Sequence, residues 1–102
     1  MKNSDYGLAG KKLASIERIS ADANYSFIHL ENGRKELHAY TLARYHECLP
    51  SFIRIHRQHL INPRFVMAIE GSVGGSSLLL LSGQRLPIAR RRHKEVVKLL
   101  TA

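Results

Sequence analysis

The pair Asn32-Gly33 constrains this chain more than any other two residues. It stands between two runs rich in β-forming residues, 25–31 (Y-S-F-I-H-L-E) and 34–39 (R-K-E-L-H-A), and an Asn-Gly pair so flanked is the strongest short-range signal for an antiparallel hairpin. A type I′ turn is the expected connection, because it needs positive φ at both central residues. Ser26, Ile28 and Leu30 then share one strand face, with Tyr25, Phe27 and His29 on the other. A fold grown from such a unit consists of short strands and tight turns.

The rest of the chain fits that plan. Residues 13–20 carry isoleucines without helical spacing and predict a strand, which residues 21–24 interrupt. Thr41 can cap a short helix that places Leu42, Tyr45, His46 and Leu49 on one face and Arg44 and Glu47 on the other, ended by Pro50. Asn62-Pro63 marks a turn. Residues 65–70 predict a half-buried strand, 71–77 (G-S-V-G-G-S-S) a flexible loop, and 78–81 an apolar strand. Ser82-Gly83 turns the chain into a third strand of a meander, 84–88. Residues 89–100 read as a helix with His93, Val96, Val97 and Leu100 on one side and Arg91, Lys94 and Lys98 nearly opposite. The first ten residues lack any pattern, so residues 1–12 are expected to form a flexible tail and 13–102 a single domain.

Within this scaffold, residues 52–62 (F-I-R-I-H-R-Q-H-L-I-N) are the centre: a short apolar strand and its following turn that carry Arg54, His56, Arg57 and His59. Between Cys48 and Lys94 the only acidic residue is Glu70, against seven arginines and Lys94, and the whole chain has a net charge of +8. That one-signed half is the electrostatic footprint of a polyanion binder. Three arginines, Arg90 to Arg92, stand at the predicted start of the last helix, where the macrodipole favours acidic groups. A bound phosphate or base edge would turn the misfit into a site, since the arginines and the free helix N–H groups would converge on one anion.

Other chemistries fit poorly. His56 and His59 stand three apart but lack Cys partners, an HExxH pattern or nearby carboxylates, so no metal is expected. No nucleophile has a base and an orienting acid at hand, so neither an enzyme nor a cofactor is expected. Tyr25, Phe27, Tyr45, Phe52 and Phe65 are expected in the core, which argues against single-stranded RNA stacking on exposed aromatics. Cys48 is the single cysteine and is read as a small buried or edge residue. With no long apolar run and no signal-peptide core, the expectation is a soluble, cytoplasmic protein without a membrane partner.

Three stretches in order, I-x-x-I-S-A-D-A-N-Y over 16–25, the central 52–62, and G-Q-R-L-P-I-A-R-R-R-H-K-E-V over 83–96, resemble the LytTR DNA-binding domains of bacterial transcription regulators. The resemblance spans residues 15–100. It implies a mainly β, elongated multi-sheet domain with short helices, whose loops rather than a recognition helix enter successive major grooves. Carried over by motif position, the base-contacting residues would be Asn24, Arg57 and Arg91, types suited to adenine and guanine edges. Arg90, Arg92 and Lys94, with His56 and His59, would take phosphates and hold register. The family usually has an acidic residue where Ser20 stands and a serine where Ala89 stands. Many members carry a receiver or sensory domain of two-component signalling, for which this chain has no length. The expected partner is double-stranded DNA, with two copies on tandem half-sites, as a homodimer on DNA, suiting an elongated binder. The rival reading is a protein-interaction module whose basic face docks an acidic partner.

Overall fold

The computed structural model describes residues 13–72 and 74–101, so the tail expected over 1–12 lies outside the described residues. A single turn of 3-10 helix, Leu13–Ser15, leads into β1 (Ile16–Asp22), followed by β2 (Tyr25–Leu30), β3 (Lys35–His38) and the helix α1 (Leu42–Cys48). The central stretch folds into two strands, β4 (Ile53–His56) and β5 (His59–Ile61). A second 3-10 turn, Pro63–Phe65, opens β6 (Val66–Ser72), β7 (Gly75–Leu80) and β8 (Arg85–Ile88). A third, Arg90–Arg92, precedes α2 (His93–Thr101).

The strands form two antiparallel sheets, one of order β3-β2-β1-β5-β4 and one of order β6-β7-β8. The mainly β, multi-sheet expectation holds, and the long axis measures 38 Å against 28 and 25 Å. One core lies between the first sheet and α1, built from Ile16, Ile19, Ile28, Leu42, Tyr45, Leu49, Phe52 and Leu60. The other lies between β4, β5, the second sheet and α2, built from Ile53, Ile55, Ile61, Leu78, Leu80, Leu86, Ile88 and Val96. The β4–β5 hairpin is therefore a wall: Phe52 and Leu60 face one core, while Ile53, Ile55 and Ile61 face the other. Each such side chain removed from water stabilises the fold by about 1.5–3 kcal/mol, so both faces hold the hairpin in place.

Polar joints fix the sheets to each other. Buried Asn62 donates its amide to Ile16 O (2.9 Å) and its backbone N–H to Glu17 O (3.0 Å), and its side-chain oxygen caps the 3-10 turn by accepting from Arg64 N (3.0 Å). Buried Arg18 donates to Glu17 (3.0 Å) and, across the sheets, to Gln84 (2.9 Å). Ala89 N–H donates to Ile55 O (2.8 Å), tying the exit of β8 to the wall.

A recurrence invisible to a residue-by-residue reading organises the two meanders. The pairs Ile16↔Leu30, Ile19↔Ile28 and Asp22↔Tyr25 of β1 and β2 reappear as Val66↔Leu80, Ile69↔Leu78 and Ser72↔Gly75 in β6 and β7, each shifted by 50 residues. The β2–β3 pairs recur with the same shift between β7 and β8, and so does the register slip near the start of β1 and β6.

Several expectations need correcting. The hairpin at Asn32-Gly33 forms, but Gly33 alone has positive φ there (90°), so the turn is not type I′. Gly33 N–H instead closes onto Leu30 O (3.0 Å) and Asn32 Oδ1 accepts from Arg34 N (2.9 Å), which lets Asn32 keep negative φ. Residues 71–77 are no flexible loop: β6 runs to Ser72 and β7 starts at Gly75, with Gly71 paired to Ser76 and Ser72 to Gly75, and half-buried Ser76 reaches His93 from the strand face it shares with Leu78 and Leu80. The first strand starts at Ile16 and continues through Asp22 into what reads as a break. Tyr25 is 51% exposed and Phe27 half-buried beneath the Lys35 ammonium (4.8 Å to the ring centroid), so these two aromatics stand on the outward face and not in the core. Tyr45, Phe52 and Phe65 are buried as expected. Thr41 caps α1 by accepting from Arg44 N, and Cys48 packs half-buried against the first core.

Candidate nucleic-acid interface

The β1–β2 turn is closed by the pair Asp22↔Tyr25 around Ala23 and Asn24. Ala23, not Asn24, takes the left-handed conformation (φ 55°), a strain that a side chain with Cβ adopts only when the surrounding ladder imposes it. Asn24 is thereby left with ordinary φ and an exposed side chain.

The β4–β5 turn consists of Arg57 and Gln58, closed by the pair His56↔His59. The central stretch is thus a hairpin and not one strand, and Arg57 sits at its exposed tip because the register slips between Arg54 and His56. Half-buried Arg54 underlies the tip: its Nε donates to His56 O (2.9 Å) and its Nη2 to Arg57 O (2.7 Å). On the other side Gln58 O accepts from Ala21 N (3.0 Å), which ties this turn to the strand leading into the Asn24 turn. As a result Asn24, Tyr25, Thr41, Arg54 and Arg57 line one shallow cleft of about 220 Å³.

Both histidines of the hairpin are held neutral at physiological pH. His56 Nδ1 accepts from Gln58 N (3.1 Å), which leaves the proton on Nε2. Its pKa is lowered by burial first and then by the charges of Arg57, Arg54 and Arg92. The His59 ring lies 5.3 Å from that of His56; burial above all, then His56 and Arg18, pushes its pKa down to about 4. Its Nδ1 is buried and has no hydrogen-bond partner among the described residues. Either ring can offer an N–H to an anion, but not a charge.

The arginine triplet forms its own 3-10 turn, in which Arg92 N donates to Ala89 O (2.9 Å), and α2 begins only at His93. The expected conflict with the helix dipole is therefore smaller than the sequence implies: the arginines precede the α-helix and Glu95 occupies its first turn. His93 Nδ1 and Ser76 Oγ, 2.8 Å apart, hold the start of α2 to β7. Arg90, Arg91 and Lys94 are exposed, whereas half-buried Arg92 stands close enough to Arg54 to lower its pKa, after burial, and shares with it a cleft of about 420 Å³ that also includes Glu95.

Of the residues singled out from sequence, the fold brings Asn24 and Arg57 to one cleft and joins them through Arg54 to Arg92; Arg90, Arg91 and Lys94 project from the adjoining turn and first helical turn. His56 and His59 close the base of the Arg57 turn. Sequence reasoning missed the part played by Arg54, for which the only signal was its place two residues before His56, and by Tyr25, which follows Asn24 into the cleft. Among the described residues, no three His, Cys, Asp or Glu side chains stand together as a metal site, and no helix is long and apolar enough to cross a membrane.

Comparison with known proteins places this geometry in context. No curated protein matches the chain. Among solved structures, a LytTr DNA-binding domain of a response regulator from Bacillus cereus superposes with a TM-score of 0.77 at 24% identity, covering 85% of this chain and 82% of the other, a likeness of fold. The model of the LytTr DNA-binding domain matches residues 11–101, nearly the full length. The chain belongs to the LytTr DNA-binding domain family.

Proposed function

We propose that this domain recognises a specific double-stranded DNA sequence in bacterial transcription control, its turns entering successive major grooves. The observation that carries the reading is the convergence of Asn24 and Arg57 on one cleft whose floor, Arg54, leads to Arg92 and the arginine turn. Asn24, Arg57 and Arg91 read bases, since an amide matches adenine N6 and N7 and a guanidinium matches guanine O6 and N7. Arg90, Arg92 and Lys94 take phosphates as charges, and His56 and His59 as neutral N–H donors. Two copies on tandem half-sites, including as a homodimer on DNA, would match the long axis of the domain. Likeness to a domain described as part of a response regulator supports a role as the output end of such signalling, inside the cell. It also supports binding in place of catalysis.

Selection from random duplex DNA with the purified chain tests the reading. A defined motif is expected, with affinity falling at a log–log salt slope of about −5 if roughly six phosphates are neutralised. On the selected site, Arg91→Ala is expected to cost about 1–3 kcal/mol and relax one base position, while Lys94→Ala weakens all sequences alike. DNA retained without an enriched motif, or a flat salt response, would shift the reading to a protein-interaction module with an acidic partner.

A further inference from the structure

We infer that Arg54 is a positioning residue for sequence reading: it sets the conformation of the turn that presents Arg57 and does not itself bind DNA. The inference rests on the reading of Arg57 as a base contact. The carbonyls of two consecutive residues, His56 and Arg57, belong to this turn. One guanidinium meets both, with Nε on His56 O at 2.9 Å and Nη2 on Arg57 O at 2.7 Å. The short distances suit charge-assisted bonds, and the fork supplies two N–H groups fixed in one plane, which an ammonium cannot do.

The side chain is half-buried, and its stem lies on the α1 side of the wall, opposite Leu60. From there the fork reaches the turn from beneath while exposed Arg57 projects from its top. Arg54 also lines the clefts on both sides, with Asn24 and Arg57 on one and Arg92 and Glu95 on the other. A shift of this one side chain would therefore move Arg57 relative to both neighbouring reading elements. A phosphate contact through the remaining Nη1 group would leave both carbonyl bonds in place, and the salt slope separates that role from positioning.

The test uses the whole chain and the duplex recovered by selection. Arg54→Lys keeps the cation and loses the fork. It is expected to lower the ratio of cognate to random binding about tenfold, approaching the effect of Arg57→Ala, while leaving the salt slope unchanged. In the Arg57→Ala background the same substitution should change that ratio by less than about twofold, because nothing remains to be positioned. In the free protein, the backbone amide resonances of Arg57 and Gln58 should move in Arg54→Lys while those of β7 stay in place. Equal losses in both backgrounds, or a slope shallower by about one with the same loss on random DNA, would overturn the proposal and make Arg54 a phosphate contact. Unmoved Arg57 and Gln58 amides would overturn it as well. If Arg57→Ala spares the cognate preference, the base-reading assignment falls and takes this proposal with it; moved amides in Arg54→Lys would mark that failure as one of Arg57 and not of the splint.

Discussion

In the first meander, β1 to β3, the face of Ile19 and Ile28 packs on α1, and the free edge of β1 is taken by β5. In the second, β6 to β8, Leu78 and Leu80 pack on the wall and α2, but β6 remains a sheet edge with Met67 58% exposed. Their registers are the same, 50 residues apart, and their hairpins at Gly33 and Gly83 close with the same pair of backbone bonds. What differs is the neighbour of the long hairpin. Beside the β1–β2 turn stands the β4–β5 turn, and two turns together make a cleft where one would present a single side chain. Repetition of a register supplies a frame, and the added hairpin turns one of its two tips into a candidate reading site.

The largest expected effect comes from striking the element the meanders share. Ile61 is fully buried in the second core, while its neighbour Leu60 is fully buried in the first. Ile61→Ala should cost about 3–4 kcal/mol, and urea melts should keep one cooperative transition. Two separated transitions would mean that the meanders fold as independent units.

A smaller effect marks where the second meander departs from the first. Gly71 occupies in the second meander the place Ala21 holds in the first, yet it has φ 95°, and a Cβ there would come within 2.3 Å of Gly75 O and 2.9 Å of Ser76 Cα. Gly71→Ala is expected to destabilise by about 2–3 kcal/mol, whereas Gly83→Ala, with φ 94° and open space around it, should cost about 1 kcal/mol. Equal shifts in the thermal midpoint would show that backbone conformation alone, without the close approach, sets the cost.

The smallest effect belongs to the first sheet alone. Burial above all, then Arg18, Lys35 and His59, pushes His29 down to about 4, the same value as His59. Above the unfolded value of about 6.5 both rings are neutral in either state and contribute nothing. Between 6.5 and 4 the unfolded chain takes up protons that the folded chain refuses, so stability is lost as pH falls through that window. Allowing for partial exposure, the two together should remove on the order of 2 kcal/mol. Urea melts from pH 7.5 to 4.5 should show this slope, and the double variant His29→Gln, His59→Gln should flatten it. An unchanged slope would place the acid sensitivity in other groups.

Much of this architecture is legible in the string, for physical reasons that mark its limits. Alternation of Ser26, Ile28 and Leu30, the Thr41 cap with Leu42, Tyr45 and Leu49, and the Ser82-Gly83 turn are local signals, and they place β2, α1 and the β7–β8 hairpin correctly. Residues 71–77 mislead because small polar residues look the same in a loop and in a paired ladder; only the pairing partner tells them apart. The turn within 52–62 hides for the opposite reason, since a hairpin buried on both faces has no polar side to advertise a reversal. For the site, the candidate residues are readable but their company is not: that Asn24 and Arg57 share a cleft depends on β5 lying beside β1, a contact between residues about forty positions apart.

The double-sided wall has a consequence for how such a domain can be reprogrammed. Within β4, β5 and their turn, the exposed positions are Arg57 and Gln58, and every other side chain is buried or half-buried. On the proposed reading of Arg57, changes of target at this tip are thus funnelled to two codons. A library confined to them varies the tip on an intact scaffold, and one that strays to their half-buried neighbours also disturbs the contacts that hold the turn.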